Sequence, residues 1–454
     1  MSLVARLERA VPGRVVSDPV GLAPYTADRS GHRAAGRPIA AVEPETVEEV
    51  QEVCRIASAE GVPVVTRGAG TGLAGGAIAG PGELVVSLMR MDRILEVSRE
   101  NRLAVVQPGI LNAALNAELA QYGLWWAPDP ASRDISTVGG NIAMNAGGLL
   151  CAKYGVTREA VLALKVVLID GRVIDVGHRT VKGVTGYDLC ALMIGSEGTL
   201  GIVVEATLKL VPIVTGEPVT IGAFFDRLDD AAGAAAEISR RGLVPAILEL
   251  LDRPSLDCVA AYTGERLNET ADAYVLAQCD GPDAERTGAG VAQALREAGG
   301  DVRSTTDPAE SERLWSLRRN VFPAVEAASG GLLVEDIAVP RDRMVDAFAA
   351  IRSIERRYEV SIPTGCHAGD GNLHPVFSYD DGGAVPDRIW EAAGEVFQTA
   401  LDLGGTLSGE HGIGLLKRRW LADELGDAQF ELQRGVKELF DPRGLLNPGK
   451  VFAV

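Results

Sequence analysis

Three stretches of small residues in the first half of the chain limit what it can fold into. Arg67-Gly68-Ala69-Gly70-Thr71-Gly72 follows a short apolar run at Val62 to Val65. Val138-Gly139-Gly140-Asn141-Ile142-Ala143-Met144-Asn145-Ala146-Gly147-Gly148 closes a longer segment, PDPASRDISTVGGNIAMNAGG, at 128–148. Gly195-Ser196-Glu197-Gly198-Thr199-Leu200-Gly201-Ile202 leads into an apolar run. A glycine-rich turn after a strand lets backbone N–H groups approach a pyrophosphate, because no Cβ intervenes. The G-x-G-x-x-G dinucleotide fingerprint needs glycine at 68, 70 and 73; position 73 is Leu, and Gly75 and Gly76 discourage a helix at Gly72. The first stretch alone reads equally well as a phosphate cradle or an ordinary turn. Three such stretches in one domain are hard to explain as turns, and long small-residue loops tend to line sites.

Periodicity supplies the scaffold. Residues 46–60 have the pattern of an amphipathic helix, with Thr46 and Glu49 at capping-box spacing and Gly61 as its stop. Strands are expected at 62–65, 84–88 and 104–107, a helix at 110–122, and a loop through 128–148. Residues 162–169 and 172–176 flank Asp170-Gly171, a pair that favours the tight primed hairpin turn. A strand at 202–210 ends near Pro212, where a first domain closes. Strands at 219–225, 246–251 and 274–279 then alternate with helices at 229–241 and 283–298. That order predicts an α+β layer, with helices on one face of an antiparallel sheet. Further helical stretches lie near 308–328, 341–357, 386–403 and 423–439.

The chain's 454 residues exceed one core and suit two or three domains. A net charge of −18 excludes a duplex nucleic acid partner. The six cysteines form no CxxC pair, which argues against an iron–sulfur cluster and suits a reducing compartment. The N-terminus lacks an apolar core of signal-peptide length, and no apolar run is long enough to span a membrane. A cytoplasmic protein is expected, able to meet the membrane through a partner.

Only five histidines occur, and three fall in two glycine-rich segments, Gly365-Cys366-His367-Ala368-Gly369-Asp370-Gly371-Asn372-Leu373-His374 and Ser408-Gly409-Glu410-His411-Gly412-Ile413-Gly414. His367 and His374 are an odd number of residues apart, which on one continuous strand would put them on opposite faces. Gly369-Asp370-Gly371 should break the strand and let the rings converge. Two neutral imidazoles with Glu410 form a set that holds a divalent metal and leaves positions open for substrate. The plainer reading is a turn with solvated rings. His32, in a basic loop, reads as solvated, and His178, after a strand, as structural.

The order PVVTRGAGTGLAGG, PDPASRDISTVGGNIAMNAGG, HRTVKGVTGYDLCALMIGSEGTLGIVVEATLKL resembles the FAD-binding domain of the vanillyl-alcohol oxidase and p-cresol methylhydroxylase superfamily. More narrowly, nearly the whole chain is similar to the FAD-linked D-2-hydroxy-acid dehydrogenases and the glycolate oxidase FAD subunits. The resemblance implies an α+β protein with a two-subdomain FAD-binding domain at 1–212. A cap domain, with a large antiparallel sheet and the metal site, would span 213–415. A helical tail at 416–454 would pack back on the FAD domain, with Asn447 of Asn447-Pro448-Gly449-Lys450 near the isoalloxazine.

It further implies that Arg67, Gly68, Ala69, Gly70, Thr71, Gly72 and Leu73 cradle the FAD pyrophosphate. Pro128, Ser132, Thr137, Gly139, Gly140, Asn141 and Ala143 would line the flavin and its phosphates. Glu197, Gly198, Gly201 and Ile202 would contact the adenosine end or the flavin. Some superfamily members attach FAD to a histidine of the first loop; this chain has none between 33 and 177, so FAD is expected to be non-covalent. Lys182 and Tyr187 lie in VKGVTGYD, where Tyr187 reads either as a flavin neighbour or as a core anchor.

Motifs of the form GHxGDGNxH and GEHGxG hold a metal and a base in this branch; Cys366 precedes the first histidine here. By that match His367, His374 and Glu410 bind the metal, zinc first with manganese or iron as alternatives, and His411 takes the C2 hydroxyl proton. Arg318, in Leu314-Trp315-Ser316-Leu317-Arg318, matches the arginine that grips the substrate carboxylate, although either arginine at 318 and 319 alone reads as a solvated helix face. Members acting on hydroxyglutarate carry a threonine and a lysine where this chain has Phe322 and Val334. A small monocarboxylate such as D-lactate or glycolate is therefore favoured, or a more apolar acid. Electrons would leave to a separate acceptor protein, quinone or cytochrome, and a homodimer is compatible with the class. The alternatives are a hydroxyglutarate-type dehydrogenase, a metal-free alcohol or lactone oxidase of the same superfamily, and an FAD subunit that only relays electrons.

Overall fold

Thr46 starts the first long helix, Val47–Glu60, by accepting the Glu49 N–H, and Gly61 ends it in the left-handed conformation. The expected capping box is only half made, because the Glu49 carboxylate accepts from Glu45 N at 2.7 Å and pairs with Arg14. The helix buries Val50, Val53, Cys54, Ile56 and Ala57. They pack on a four-stranded sheet in the order Val15–Val16, Ala40–Val42, Leu84–Ser87, Val64–Arg67, whose last three strands are parallel. The computed structural model describes residues 1–264, 270–380 and 384–452.

A second sheet is antiparallel throughout, in the order Ile94–Ser98, Leu103–Val106, Ile202–Lys209, Val161–Val167, Val173–Gly177. The hairpin at Asp170-Gly171 is present, but its turn is not the primed one. Leu168 carbonyl accepts the Gly171 N–H, and Gly171 alone takes a positive φ of 82°. That is the three-residue loop with a glycine bulge, which spares Asp170 the left-handed conformation.

The segment 128–148 is not all loop. Thr137 caps a helix, Val138–Met144, through a bond from Gly140 N, and Asn145 ends it at φ 49°. The two glycines hid this helix, since glycine lowers helix propensity by about 1 kcal/mol against alanine. Val138 and Ile142 are its buried anchors.

The chain divides into two units, one comprising Met1–Gly147, Gly155–Ile213 and Glu410–Val454, the other Gly148–Tyr154 and Val214–Gly409. The return to the first unit thus begins at Glu410 rather than at 416, and 148–154 belongs to the second unit. Lys153 and Tyr154 there reach Asp280, the tyrosine hydroxyl at 2.6 Å.

The second unit is an eight-stranded antiparallel sheet. Its path runs Asp301–Thr305, Val219–Phe225, Ala273–Cys279, Ile247–Asp252, Thr364–His367, Asn372–Tyr379, Gly331–Val334, and Ile337–Ala338 pairs with Asn372–Tyr379 off that path. Helices cover both faces, not one as the pattern suggested. On Val219–Phe225, Val219 faces Gly288 of helix Ala284–Glu297, whereas Gly222 faces Leu314 of helix Pro308–Arg319. The Gly222 face holds the cluster of Leu251, Leu256, Tyr274, Leu276, Leu314, Leu317 and Val321. No helix among the described residues is long and apolar enough to cross a membrane.

Candidate active site

In the second unit the strand register gathers the chemistry on one face. Residues directly opposite one another across a sheet share a face, and so do residues two apart on one strand. His367 lies opposite Glu249, Gly365 shares its face, and His374 lies opposite Gly365. The break at Gly369-Asp370-Gly371 is a tight turn between the two histidine strands, with Gly371 at φ 85°. It converts an odd spacing into a shared face. The rings stand edge to face, with centroids 4.9 Å apart.

The segment before Glu410 is fastened to the same unit. Thr406 and Ala338 exchange backbone bonds of 2.8 and 3.2 Å. Ser408 Oγ donates to the buried Asp336 carboxylate at 3.1 Å. A Cβ on Gly409 would collide with the Asn372 amide, so the turn sits directly against that residue. Glu410 is the next residue in the chain, and His367, His374 and Glu410 each offer a ligand atom within 4.8 Å of the others. Two imidazoles and a carboxylate at that separation fit a divalent cation.

Sequence reasoning missed Glu249. It sits in the apolar strand Ile247–Asp252 and is fully buried. One carboxylate oxygen meets His367 Nδ1 at 2.7 Å, and the other accepts Arg318 Nε at 2.7 Å. Burial works to raise its pKa, but His367 and Arg318 outweigh that and hold it below the ordinary carboxylate value. An acid in the middle of a mostly apolar run, ILELLD, was the available signal. Arg318 lies near the end of helix Pro308–Arg319, its side chain 22% exposed. Phe322, in the next helix, is exposed, and Val334 is half-buried.

In the first unit the three small-residue stretches converge. Gly195 N bonds Ile142 carbonyl and Glu197 N bonds Ala143 carbonyl, joining the third stretch to the second. A Cβ on Gly68 would collide with Thr137 Oγ1, joining the first to the second. A Cβ on Gly76 would stand 3.6 Å from Glu197 Oε2 and 4.0 Å from Met144 Sδ. The C-terminal strap completes the cluster: Asn447, at φ 44°, donates its amide to the Gly76 and Glu197 carbonyls at 2.9 and 2.7 Å.

Several residues expected at the cofactor have side chains engaged in the scaffold. Arg67 turns back into its own loop, donating to Ala77 carbonyl at 2.7 Å and Pro24 carbonyl at 3.2 Å. Asn141 is buried and bonded to Asn112 and Ser136. The Pro128 carbonyl accepts from Asn112, and the Ser132 carbonyl closes a local turn with Ser136. Ile202 packs wholly in the core, and a Cβ on Gly201 would collide with Val166. What these positions offer a ligand is backbone and space. Gly70, Gly75 and Gly198 hold positive φ, while Ala69, Thr71, Gly72, Leu73, Gly139, Gly140 and Ala143 remain partly open. Tyr187 is 96% exposed and is no core anchor; His32 and His178 are exposed as well.

A fit test for a flavin nucleotide rests on polar atoms. Thr66 Oγ1 and Asn447 Oδ1 are buried without a hydrogen-bond partner among the described residues, and both residues approach Gly198. Buried polar groups are normally bonded, so this cluster suits a ligand that brings donors.

The Glu197 carboxylate accepts from Ile413 and Gly414 N–H at 2.7 and 2.8 Å and so holds the turn that carries His411. Leu415 N bonds Ala74 carbonyl at 2.8 Å, fixing the other end of that turn. Burial raises Glu197 from 4.5 to about 7, against the pull of the two N–H groups and Lys417. Its folded value lies above the unfolded one, so its stability contribution is complete below about pH 4.5 and is lost as pH rises through about 7. A shift of that size corresponds to about 3 kcal/mol. Urea unfolding of the FAD-bound protein between pH 4.5 and 7.5 should therefore show a flatter decline in Glu197→Gln than in the parent. Parallel curves would refute it.

Comparisons with known proteins identify the family. Residues 38–177 match the FAD binding domain family, and residues 217–451 match the family described as FAD linked oxidases, C-terminal domain. The chain is 40% identical to the glycolate oxidase subunit GlcD of Bacillus subtilis, over 92% of this chain and 89% of that one. It is 35% identical to a D-lactate dehydrogenase of Archaeoglobus fulgidus, over 90% of each chain. With a D-2-hydroxyglutarate dehydrogenase of Stutzerimonas stutzeri it shares 34% identity, over 100% of this chain and 99% of that one. A structure of p-cresol methylhydroxylase with substrate bound superposes with a TM-score of 0.81 at 17% identity, over 99% of this chain and 96% of that one, which establishes the fold. With its flavin-type loops, its antiparallel second unit and relatives along nearly its whole length, the chain belongs to the FAD-linked oxidase family, on the branch of the glycolate oxidase FAD subunits and the FAD-linked D-lactate and D-2-hydroxyglutarate dehydrogenases.

Proposed function

We propose that this protein oxidises a small D-2-hydroxy acid of the D-lactate or glycolate class to the 2-oxo acid, with non-covalent FAD and one divalent metal ion, zinc first. The observation that carries the reading is the convergence of His367, His374 and Glu410 within 4.8 Å. The names of the relatives support the chemistry, all three being hydroxy-acid enzymes or subunits of them.

Each residue then has a task. The guanidinium of Arg318 pairs with the substrate carboxylate, a charge-assisted bond worth about 1.5–3 kcal/mol. His367, His374 and Glu410 hold the cation, which when bound polarises the C2 hydroxyl and favours its ionisation. His411 takes the hydroxyl proton. The backbones of Gly68 to Leu73, of Thr137 to Ala143 and of Gly198, with Asn447, would seat the FAD, which when bound would supply the hydride acceptor. The hydroxyl proton would thus go to His411, and both electrons of the oxidation would leave with the C2 hydride. Re-oxidation falls to a separate acceptor, a partner subunit, quinone or cytochrome, in a cytoplasmic setting.

Anaerobic flavin bleaching across a panel of acids tests this. D-lactate or glycolate should reduce the flavin of the isolated chain, and L-lactate should do so far more slowly. D-2-hydroxyglutarate should lag by roughly 10- to 100-fold in kcat/KM, the value of one missing charge-assisted bond, because Phe322 and Val334 replace the groups that would hold its distal carboxylate. An intact holoprotein that none of these acids reduces would overturn the assignment.

A further inference from the structure

We propose that Glu249 is a positioning residue that ties the metal ligand His367 to the carboxylate clamp Arg318, so that cation binding and substrate binding depend on one buried side chain. The inference rests on the function proposed above and adds to it a residue outside the GHxGDGNxH, GEHGxG and LWxLR motifs.

The geometry is specific. Glu249 Oε1 meets His367 Nδ1 at 2.7 Å, and Oε2 accepts Arg318 Nε at 2.7 Å. Its side chain is 1% exposed, so water does not compete for either oxygen. A carboxylate paired with a guanidinium accepts hydrogen bonds and donates none, so the proton of the His367 ring resides on Nδ1. The lone pair is then on Nε2, where a cation can use it. A carboxylate behind a ligating histidine fixes its tautomer and ring angle and raises its basicity. On the other side, a bond at Nε orients the guanidinium plane while leaving the two terminal nitrogens for a planar fork onto a substrate carboxylate. Neither terminal nitrogen of Arg318 bonds a described residue.

The strand register explains why one residue serves both. Glu249 and His367 are cross-strand partners, and Glu249 faces the side of the sheet on which helix Pro308–Arg319 packs. A glutamate here reaches the neighbouring strand and the helix above it together. Glutamine keeps the shape but loses the charge and one acceptor, and aspartate keeps the charge but is too short to hold both partners.

The test uses the FAD-bound full chain loaded with Zn²⁺. The zinc dissociation constant is measured by competition with a chelator, and KM and kcat for D-lactate and glycolate are measured at saturating zinc. In Glu249→Gln the zinc affinity should fall about 10- to 100-fold, and KM should rise several-fold more than kcat falls, with the flavin spectrum unchanged. A merely structural role would lower the melting temperature and leave zinc affinity and KM alone. Values of both within twofold of the parent would overturn the proposal, and should Glu249→Gln fail to fold, Glu249→Asp is judged by the same two numbers. A parent protein that binds no zinc, or oxidises neither acid, fails the underlying function instead, which separates the two failures.

Discussion

Replacing His411 by alanine should lower kcat for D-lactate or glycolate by about 10²–10⁴, the usual contribution of a positioned general base. The reasoning starts from the turn. Glu410 and His411 are consecutive, so their side chains leave the backbone in different directions, which lets the proposed metal ligand and the proposed base be separate residues. The turn after His411 is held by two N–H bonds to Glu197 and by Leu415 on Ala74, none of which uses the imidazole. The variant should therefore keep its fold, its flavin spectrum and its zinc content. KM should move little, because Arg318 and the cation still bind the acid. Single-turnover flavin reduction isolates the step, and full-rate reduction by His411→Ala would remove histidine from the proton transfer.

What could be read from residues alone follows the physics of each signal. The helix Val47–Glu60 and the hairpin at Gly171 were legible because a cap residue, a stop glycine and an apolar period all point one way. Helix Val138–Met144 was not, because its two glycines mimic a loop and the decisive evidence, Thr137 bonding Gly140 N, is a matter of geometry. The hairpin turn was misread for a similar reason: Asp-Gly suits two turn types, and only the φ of Asp170 separates them. Motif matching located His367, His374 and Glu410, while the shared face of the two histidines depends on the register of Thr364–His367 against Asn372–Tyr379.

Arg67, Asn141 and Ile202 belong to cofactor motifs, and a motif does not say whether the side chain or the backbone performs the task. Here the Arg67 guanidinium braces Ala77 and Pro24, Asn141 braces Asn112, and Ile202 fills the core. They shape the backbone that would meet the ligand. Glu249 shows the converse: it lies in no motif, yet it contacts both His367 and Arg318. A buried acid is costly unless it is paired, so Glu249 in ILELLD was a sign in the sequence that a cation or a donor lies nearby.

Removing the metal should cost more than any change outside the site. Dialysis of the holoprotein against a chelator is expected to lower turnover by about 10³-fold, since several kcal/mol of charge stabilisation are lost and each 1.36 kcal/mol is tenfold. Two neutral imidazoles and one carboxylate would leave a bound divalent ion with net positive charge, which would favour ionisation of the C2 hydroxyl. Without the ion, His411 would face an alcohol whose pKa lies near that of bulk water, about 15.7, where a cation can bring bound water to about 7. The flavin should stay bound, because the loops proposed to seat it, 67–73, 128–144 and 195–202, share no residue with the proposed ligand set. Zinc, manganese or iron returned in stoichiometric amount should restore the rate, with the best of the three identifying the ion. His374→Ala should copy the chelated protein and resist rescue, which separates loss of the ion from other effects of the chelator. If a protein shown by elemental analysis to hold less than about a tenth of an equivalent of metal still reduced its flavin at the full rate, the ligand set would have no part in the reaction. The metal-free oxidase reading would then replace the present one.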